Sequence, residues 1–132
     1  MCSSDLDSCI GPDGRLSVKQ FTGRSEATRS SGRETIDWAV EATRLGAGEI
    51  VLNCMDRDGV RNGYDIVLLG ALVAAVDVPV IISGGAGTMV HFAEASHAGA
   101  SGALAASVFH DRRIAIADLK DFLAAQSIEV RR

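Results

Sequence analysis

An apolar run, Val80-Ile81-Ile82, stops abruptly at Ser83-Gly84-Gly85, and downstream Ala103-Leu104-Ala105 stops in the same way at Ala106-Ser107. Small residues at a strand end let backbone N–H groups come close to a ligand, which is how a protein grips phosphate. A third run, residues 49–55, ends instead in Asp56-Arg57-Asp58-Gly59. There one carboxylate can meet substrate hydroxyls while the other holds Arg57 or caps a turn. If the three runs are neighbouring strands, two neutral cradles and one acidic loop share a sheet edge. Each feature also has a plainer reading. Ser83-Gly84-Gly85 can be a tight strand-to-helix turn, Ser107 a helix cap, and the Asp56/Asp58 pair a solvated loop.

Other residues are less informative taken alone. Glu49 shares side-chain parity with Val51 and Asn53, so it faces the inside of a barrel if Asn53 lines the site mouth, and otherwise is an exposed strand start. An interior glutamate needs a cationic partner. Asp7 is one acid in a polar terminus, and nothing local makes it catalytic. No metal site is expected, because no histidine or third carboxylate stands at ligand spacing from Asp56 and Asp58.

The bulk properties narrow the function classes. A chain of 132 residues, 47% hydrophobic and 23% charged, has room for one core and one domain. A net charge of -4 argues against a general nucleic-acid or membrane-surface binder, since both polyanions need a basic face. The longest apolar stretch, residues 66–76, lies between Asp65 and Asp77 and is too short to cross a bilayer. It reads as a buried helix. Cys2, Cys9 and Cys54 fit neither a disulfide framework nor a zinc site, which favours reduced thiols. The N-terminus lacks the basic start and apolar core of a signal peptide, so a cytoplasmic protein is expected.

These groups need elements to position them. Gly11-Pro12-Asp13-Gly14 has hairpin-turn chemistry, and Leu16, Val18 and Gln20 alternate as a returning strand. Residues 22–33 hold almost nothing apolar and read as a long exposed loop. Ile36, Ala39, Val40 and Thr43 fall at helical spacing and stop at Gly46 and Gly48. A second helix follows an Asp65 cap, Pro79 bars its continuation, and a third starts at Thr88. A fourth should bury Ile116, Leu119, Phe122 and Leu123. Strand and helix alternate, so the fold class is α/β with parallel βα units whose loops share one face, and periodicity alone fits both an open doubly wound sheet and a (β/α)8 barrel. Gly84, Gly85 and Gly87 do not make a dinucleotide fingerprint. Phosphate sites after two consecutive late strands are a barrel habit.

Residues 46–65, with Asn53-Cys54-Met55-Asp56-Arg57-Asp58-Gly59 and Asn62-Gly63-Tyr64-Asp65, closely resemble the cyclase subunit of imidazole glycerol phosphate synthase. Ile82-Ser83-Gly84-Gly85-Ala86-Gly87-Thr88-Met89 and Ala103-Leu104-Ala105-Ala106-Ser107-Val108-Phe109-His110 resemble that family's phosphate loops in the right order. The sister isomerase of histidine biosynthesis shares a similar acidic loop and Ser-Gly-Gly, but the two continuations favour the cyclase.

The resemblance implies parallel βα repeats forming the C-terminal half of a (β/α)8 TIM barrel over residues 7–132, with an N-terminal half-barrel missing. Residues 1–6 read as a non-native leader, polar where an apolar strand should precede Asp7. The family uses ammonia from a glutaminase subunit or domain to turn a phosphoribulosyl-formimino ribonucleotide into imidazole glycerol phosphate and aminoimidazole carboxamide ribonucleotide. Asp7 matches one of two catalytic aspartates, so little activity is expected of this chain alone. By the same resemblance, Asn53, Asp56, Asp58 and Gly59 bind substrate, and Ser83, Gly84, Gly85, Ala106 and Ser107 bind its distal phosphate. Glu49 resembles part of the gate that admits ammonia at the barrel bottom. No cofactor is implied. A non-catalytic half-barrel that binds phosphate or self-associates through its strand edges is the competing class.

Overall fold

In the computed structural model, residues 2–131 are described. Met1 of the expected leader and Arg132 at the end of the expected half-barrel lie outside them. In chain order the strands and helices are β1 (Ser3–Ile10), β2 (Leu16–Gln20), β3 (Arg29–Glu34), α1 (Thr35–Arg44), β4 (Glu49–Cys54) and α2 (Ile66–Ala75). They continue through β5 (Val80–Ser83), α3 (Met89–His97), β6 (Gly102–Leu104), α4 (Ser107–His110) and α5 (Ile116–Ala125).

One six-stranded sheet runs β3-β2-β1-β4-β5-β6. From β1 onward every pairing is parallel and every crossover steps to the next neighbour in the same direction. Right-handed crossovers without a reversal put all connecting helices on one face, as in a barrel and unlike a doubly wound sheet. Burial agrees. Leu6, Ile50, Leu52, Val80 and Ile82 share one side-chain parity and are all at most 2% exposed, packed with Ala39, Leu69, Leu72 and Phe92 from the helices. The opposite parity, which a closed barrel would turn inward, carries Asp5, Asp7, Glu49, Val51, Asn53, Ile81 and Ser83, in register across β1, β4 and β5. The expected parallel βα repeats of a half-barrel are therefore observed.

The helix starts follow their caps. Glu34 accepts from the backbone N–H groups of Ile36 and Asp37 at 3.1 Å, and Asp65 accepts from Leu68 at 3.0 Å. Both satisfy donors that the first turn leaves unpaired. Thr88 precedes α3 as expected, and His91 Nδ1 reaches back to accept from the N–H groups of Gly87 and Thr88.

Several expectations need correction. Residues 22–33 are not one long loop. They hold a 3-10 turn, Ser25–Ala27, and most of β3, which pairs antiparallel with β2 and is tied to it by Ser31 Oγ donating to the Val18 carbonyl at 2.7 Å. Pairing supplied by a hairpin partner overrides the missing apolar alternation. Helix α2 is not buried all round, since Val67 is 85% exposed while Leu68, Leu69 and Leu72 face the core. Of the residues expected to be buried on α5, Leu119 is, whereas Ile116 at the first turn is 56% exposed.

The polar residues Ser3, Ser4 and Asp5 take strand geometry with Leu6, pairing residue for residue with Glu49 to Leu52. The strand expected over residues 103–106 is shorter and earlier, Gly102–Leu104. No helix among the described residues is long and apolar enough to cross a membrane.

Candidate functional site

The loops after β4, β5 and β6 meet at the C-terminal edge of the sheet around a cavity of about 330 Å³. Asn53 and Ser83 enter its wall from adjacent strand ends, where they are register partners. Gly84 and Gly85 line it from the loop after β5, Asp58 and Gly59 from the acidic loop, and Ala106 and Ser107 from the start of α4. Small residues and one carboxylate thus surround a space large enough for a phosphate ester.

The glycines are required by how tightly the loops interlock. Gly85 has φ +115°, and a Cβ there would sit 2.2 Å from the Gly63 carbonyl oxygen. At Gly84, φ is +89° and a Cβ would lie 2.6 Å from the Cys54 carbonyl oxygen. Any side chain would push the two loops apart. The Gly63 N–H donates to the Gly85 carbonyl at 2.8 Å and closes the seam. Tyr64, two residues into the same turn from Asn62, donates its hydroxyl to the Leu104 carbonyl at 2.9 Å and fixes the end of β6.

Asp7 stands one strand away from the cavity wall. Asn53 Nδ2 donates to its Oδ1 at 2.8 Å, and the hydroxyl of Thr22 donates to Oδ2. Both carboxylate oxygens are oriented, one by a residue of the cavity and one by the residue following β2 and Phe21. Asp56 does not line the cavity. Its Oδ2 accepts from the Ile10 N–H at 2.6 Å and pins the acidic loop to the end of β1. Arg57 is held by Asp65 at 3.8 Å rather than by either neighbouring aspartate. Asp58 is left exposed at the cavity. Glu49 lies at the other end of β4, beside Ser3, and among the described residues no cation pairs with it.

Two residues that sequence reasoning passed over belong to this edge. Thr22 lies in the polar stretch after β2, and its approach to Asp7 depends on the hairpin folding back at Gly11-Pro12-Asp13-Gly14. Arg61 donates from Nε to Ser107 Oγ at 3.1 Å and pairs with Asp111. It adopts φ +63°, a left-handed conformation that costs an ordinary L residue about 1 kcal/mol. A sequence signal for Arg61 existed in its place next to the Asn62-Gly63 turn, but its reach across to α4 did not.

The buried Cys54 thiol faces the helices rather than the cavity. Burial, with the negative charge of Asp65 adding to it, pushes this thiol from 9.0 up to about 12, so it is protonated and not a nucleophile at neutral pH. Among the described residues no group of His, Cys, Asp or Glu has the arrangement to hold a metal ion. A larger apolar groove of about 460 Å³ between α3 and α5, with Phe92, Leu119 and Leu123 in its wall, touches none of the candidate residues.

The profile of the family described as histidine biosynthesis protein matches residues 6–115, which span β1 to the residue before α5. The chain belongs to that family. The imidazole glycerol phosphate synthase subunit HisF of Xanthomonas campestris pv. campestris strain B100 is 56% identical to it over 127 residues, covering 96% of this chain and 49% of the relative. The subunit HisF of Stenotrophomonas maltophilia strain K279a gives the same identity and the same coverage. The chain spans about half the length of the curated relatives it matches. Within this histidine biosynthesis family member, the matched region includes every candidate residue from Asp7 to Ser107.

Proposed function

We propose that this chain is the C-terminal half-barrel of an imidazole glycerol phosphate synthase cyclase, a cytoplasmic lyase of histidine biosynthesis that works with a glutaminase. The observation that carries this reading is Asn53. It both lines the phosphate-sized cavity and hydrogen-bonds Asp7, so a ligand anchored in the cavity extends toward an oriented carboxylate.

The division of labour follows from the chemistry of each residue. Backbone N–H groups of the Gly84-Gly85 and Ala106-Ser107 loops, with the Ser83 and Ser107 hydroxyls, hold the distal phosphate of the ribonucleotide. Asp58 and Asn53 accept and donate hydrogen bonds to the sugar hydroxyls, and Gly59 lets the acidic loop lie close against them. Asp56 shapes that loop through Ile10 rather than touching substrate. Asp7 exchanges a proton with the reacting carbon framework, one half of an acid-base pair whose other member belongs to the complementary half-barrel. Ammonia enters past Glu49 at the opposite strand end and travels along the inward face toward Asn53. No cofactor is needed for these steps.

Because the chain spans half of its relatives, turnover requires the other half. Mixing this chain with the N-terminal half of the Stenotrophomonas maltophilia subunit and supplying ammonia with the phosphoribulosyl-formimino substrate should give imidazole glycerol phosphate. Ring opening of the ribosyl isomer by that mixture, without cyclisation, would replace this proposal with the sister isomerase. Phosphate-ester binding with neither reaction would leave a non-catalytic half-barrel.

A further inference from the structure

The cavity that should take a phosphate has no cation among the described residues of its wall. Among its described lining residues the only formal charge is Asp58, which repels an anion. A phosphate ester carries nearly two negative charges at neutral pH, and neutral donors alone leave that charge poorly compensated. We infer that Arg61 supplies the missing charge and that Asp111 acts as a competing partner that tunes it. This inference rests on the phosphate reading above.

The geometry singles out Arg61. Its Nε donates to Ser107 Oγ at 3.1 Å, and Ser107 lines the cavity, so the guanidinium stands directly behind a phosphate-binding hydroxyl. Donating to Ser107 leaves that hydroxyl's own proton free to point at the ligand. The backbone at Arg61 is held in place against its preference. Its φ is +63°, and its carbonyl oxygen fills the space where a Cβ on Gly87 would stand, at 2.1 Å. A glycine in the loop after β5 thus permits the conformation that sends this side chain to α4. Strain of this kind persists where the surroundings over-determine it, and it gathers at ligand sites.

The second partner can be displaced. Arg61 NH2 pairs with Asp111, whose side chain is 49% exposed whereas that of Arg61 is 27% exposed. Water can solvate the Asp111 carboxylate when an arriving phosphate competes for the guanidinium. Arg57, the other arginine of this loop, is already committed to Asp65 and to the Gly63 carbonyl.

The test uses the chain alone, titrated calorimetrically with inorganic phosphate and with glycerol phosphate. Arg61→Met should weaken binding by about tenfold or more, Arg61→Lys by less, and Asp111→Asn should tighten it by about threefold. In the unaltered chain the Arg61 Nε–H resonance should shift on phosphate addition, a response that a purely structural arginine would not give. Wild-type binding that Arg61→Met and Asp111→Asn both leave unchanged would overturn the inference while keeping the phosphate site. Absence of binding by the wild-type chain would overturn the phosphate reading, and the inference with it. Should Arg61→Met fail to fold, unchanged affinity in Arg61→Lys and Asp111→Asn, with a static Nε–H resonance, overturns it equally.

Discussion

Asn53 Nδ2 donates to Asp7 Oδ1 at 2.8 Å across the β1–β4 pairing, where the two residues are register partners. The bond is built into the sheet. Parallel pairing puts both side chains on the same face at the same level, so no loop needs to move to form it.

This relationship makes Asn53 a positioning group for Asp7 as well as a cavity residue. Replacing it with alanine removes a hydrogen bond to a carboxylate, worth about 1.5–3 kcal/mol. In the reconstituted barrel, Asn53→Ala should therefore lower kcat for ammonia-dependent cyclisation by about tenfold or more. Thr22→Val should lower kcat in the same direction through the other oxygen of Asp7, and Thr22→Ser should restore it. Unchanged kcat in both Asn53→Ala and Thr22→Val would remove the positioning role.

The seam between the loops is a stability prediction. Gly85→Ala forces a Cβ to within 2.2 Å of the Gly63 carbonyl oxygen at φ +115°, so it should destabilise by about 2–4 kcal/mol in urea unfolding. Gly59→Ala has nothing within 4 Å of the new Cβ and only its φ of +75° to contend with, so about 1 kcal/mol is expected. Equal effects at the two positions would show that the loops do not interlock.

Alkaline pH should loosen the core through Cys54. Its thiol is pushed from 9.0 up to about 12 by burial, so above pH 9 the unfolded chain has lost a proton that the folded chain keeps. Stability is then full below pH 9 and falls by roughly 1.4 kcal/mol per pH unit as pH rises toward 12. Burial pushes the Tyr64 hydroxyl upward too, which adds to the fall at higher pH. Cys54→Ala should flatten the slope of unfolding free energy between pH 9 and 11. In the native chain at pH 8, Cys2, which is exposed, should be alkylated while Cys54 is protected.

The sequence showed the parts whose signal is local. Parity along residues 49–54 placed Asn53 at the site end and Glu49 at the other, and Asp65 and Thr88 marked their helix starts correctly. The abrupt stops at Ser83 and Ala106 identified the cavity loops. Relations between distant segments were not legible. Strand β3 has no apolar alternation and exists because β2 pairs with it. Local spacing points Asp56 at Arg57 or substrate, yet Ile10, brought over by β1, takes its carboxylate. Thr22 reaches Asp7 and Arg61 reaches Ser107 only after the hairpin and the crossovers have folded, and no spacing along the chain encodes either contact.

Under the proposed function, the chain supplies the cavity at the C-terminal strand ends and Asp7 as one proton-transferring carboxylate of a whole barrel. That division of labour is checked by steady-state cyclisation in the chain mixed with a complementary N-terminal half, against the same mixture carrying Asp7→Asn. The wild-type mixture should form imidazole glycerol phosphate in an ammonia-dependent way, either half alone should form none, and Asp7→Asn should lose about a hundredfold or more. Equal turnover with Asp7→Asn, or full turnover by this chain alone, would rule out that division of labour.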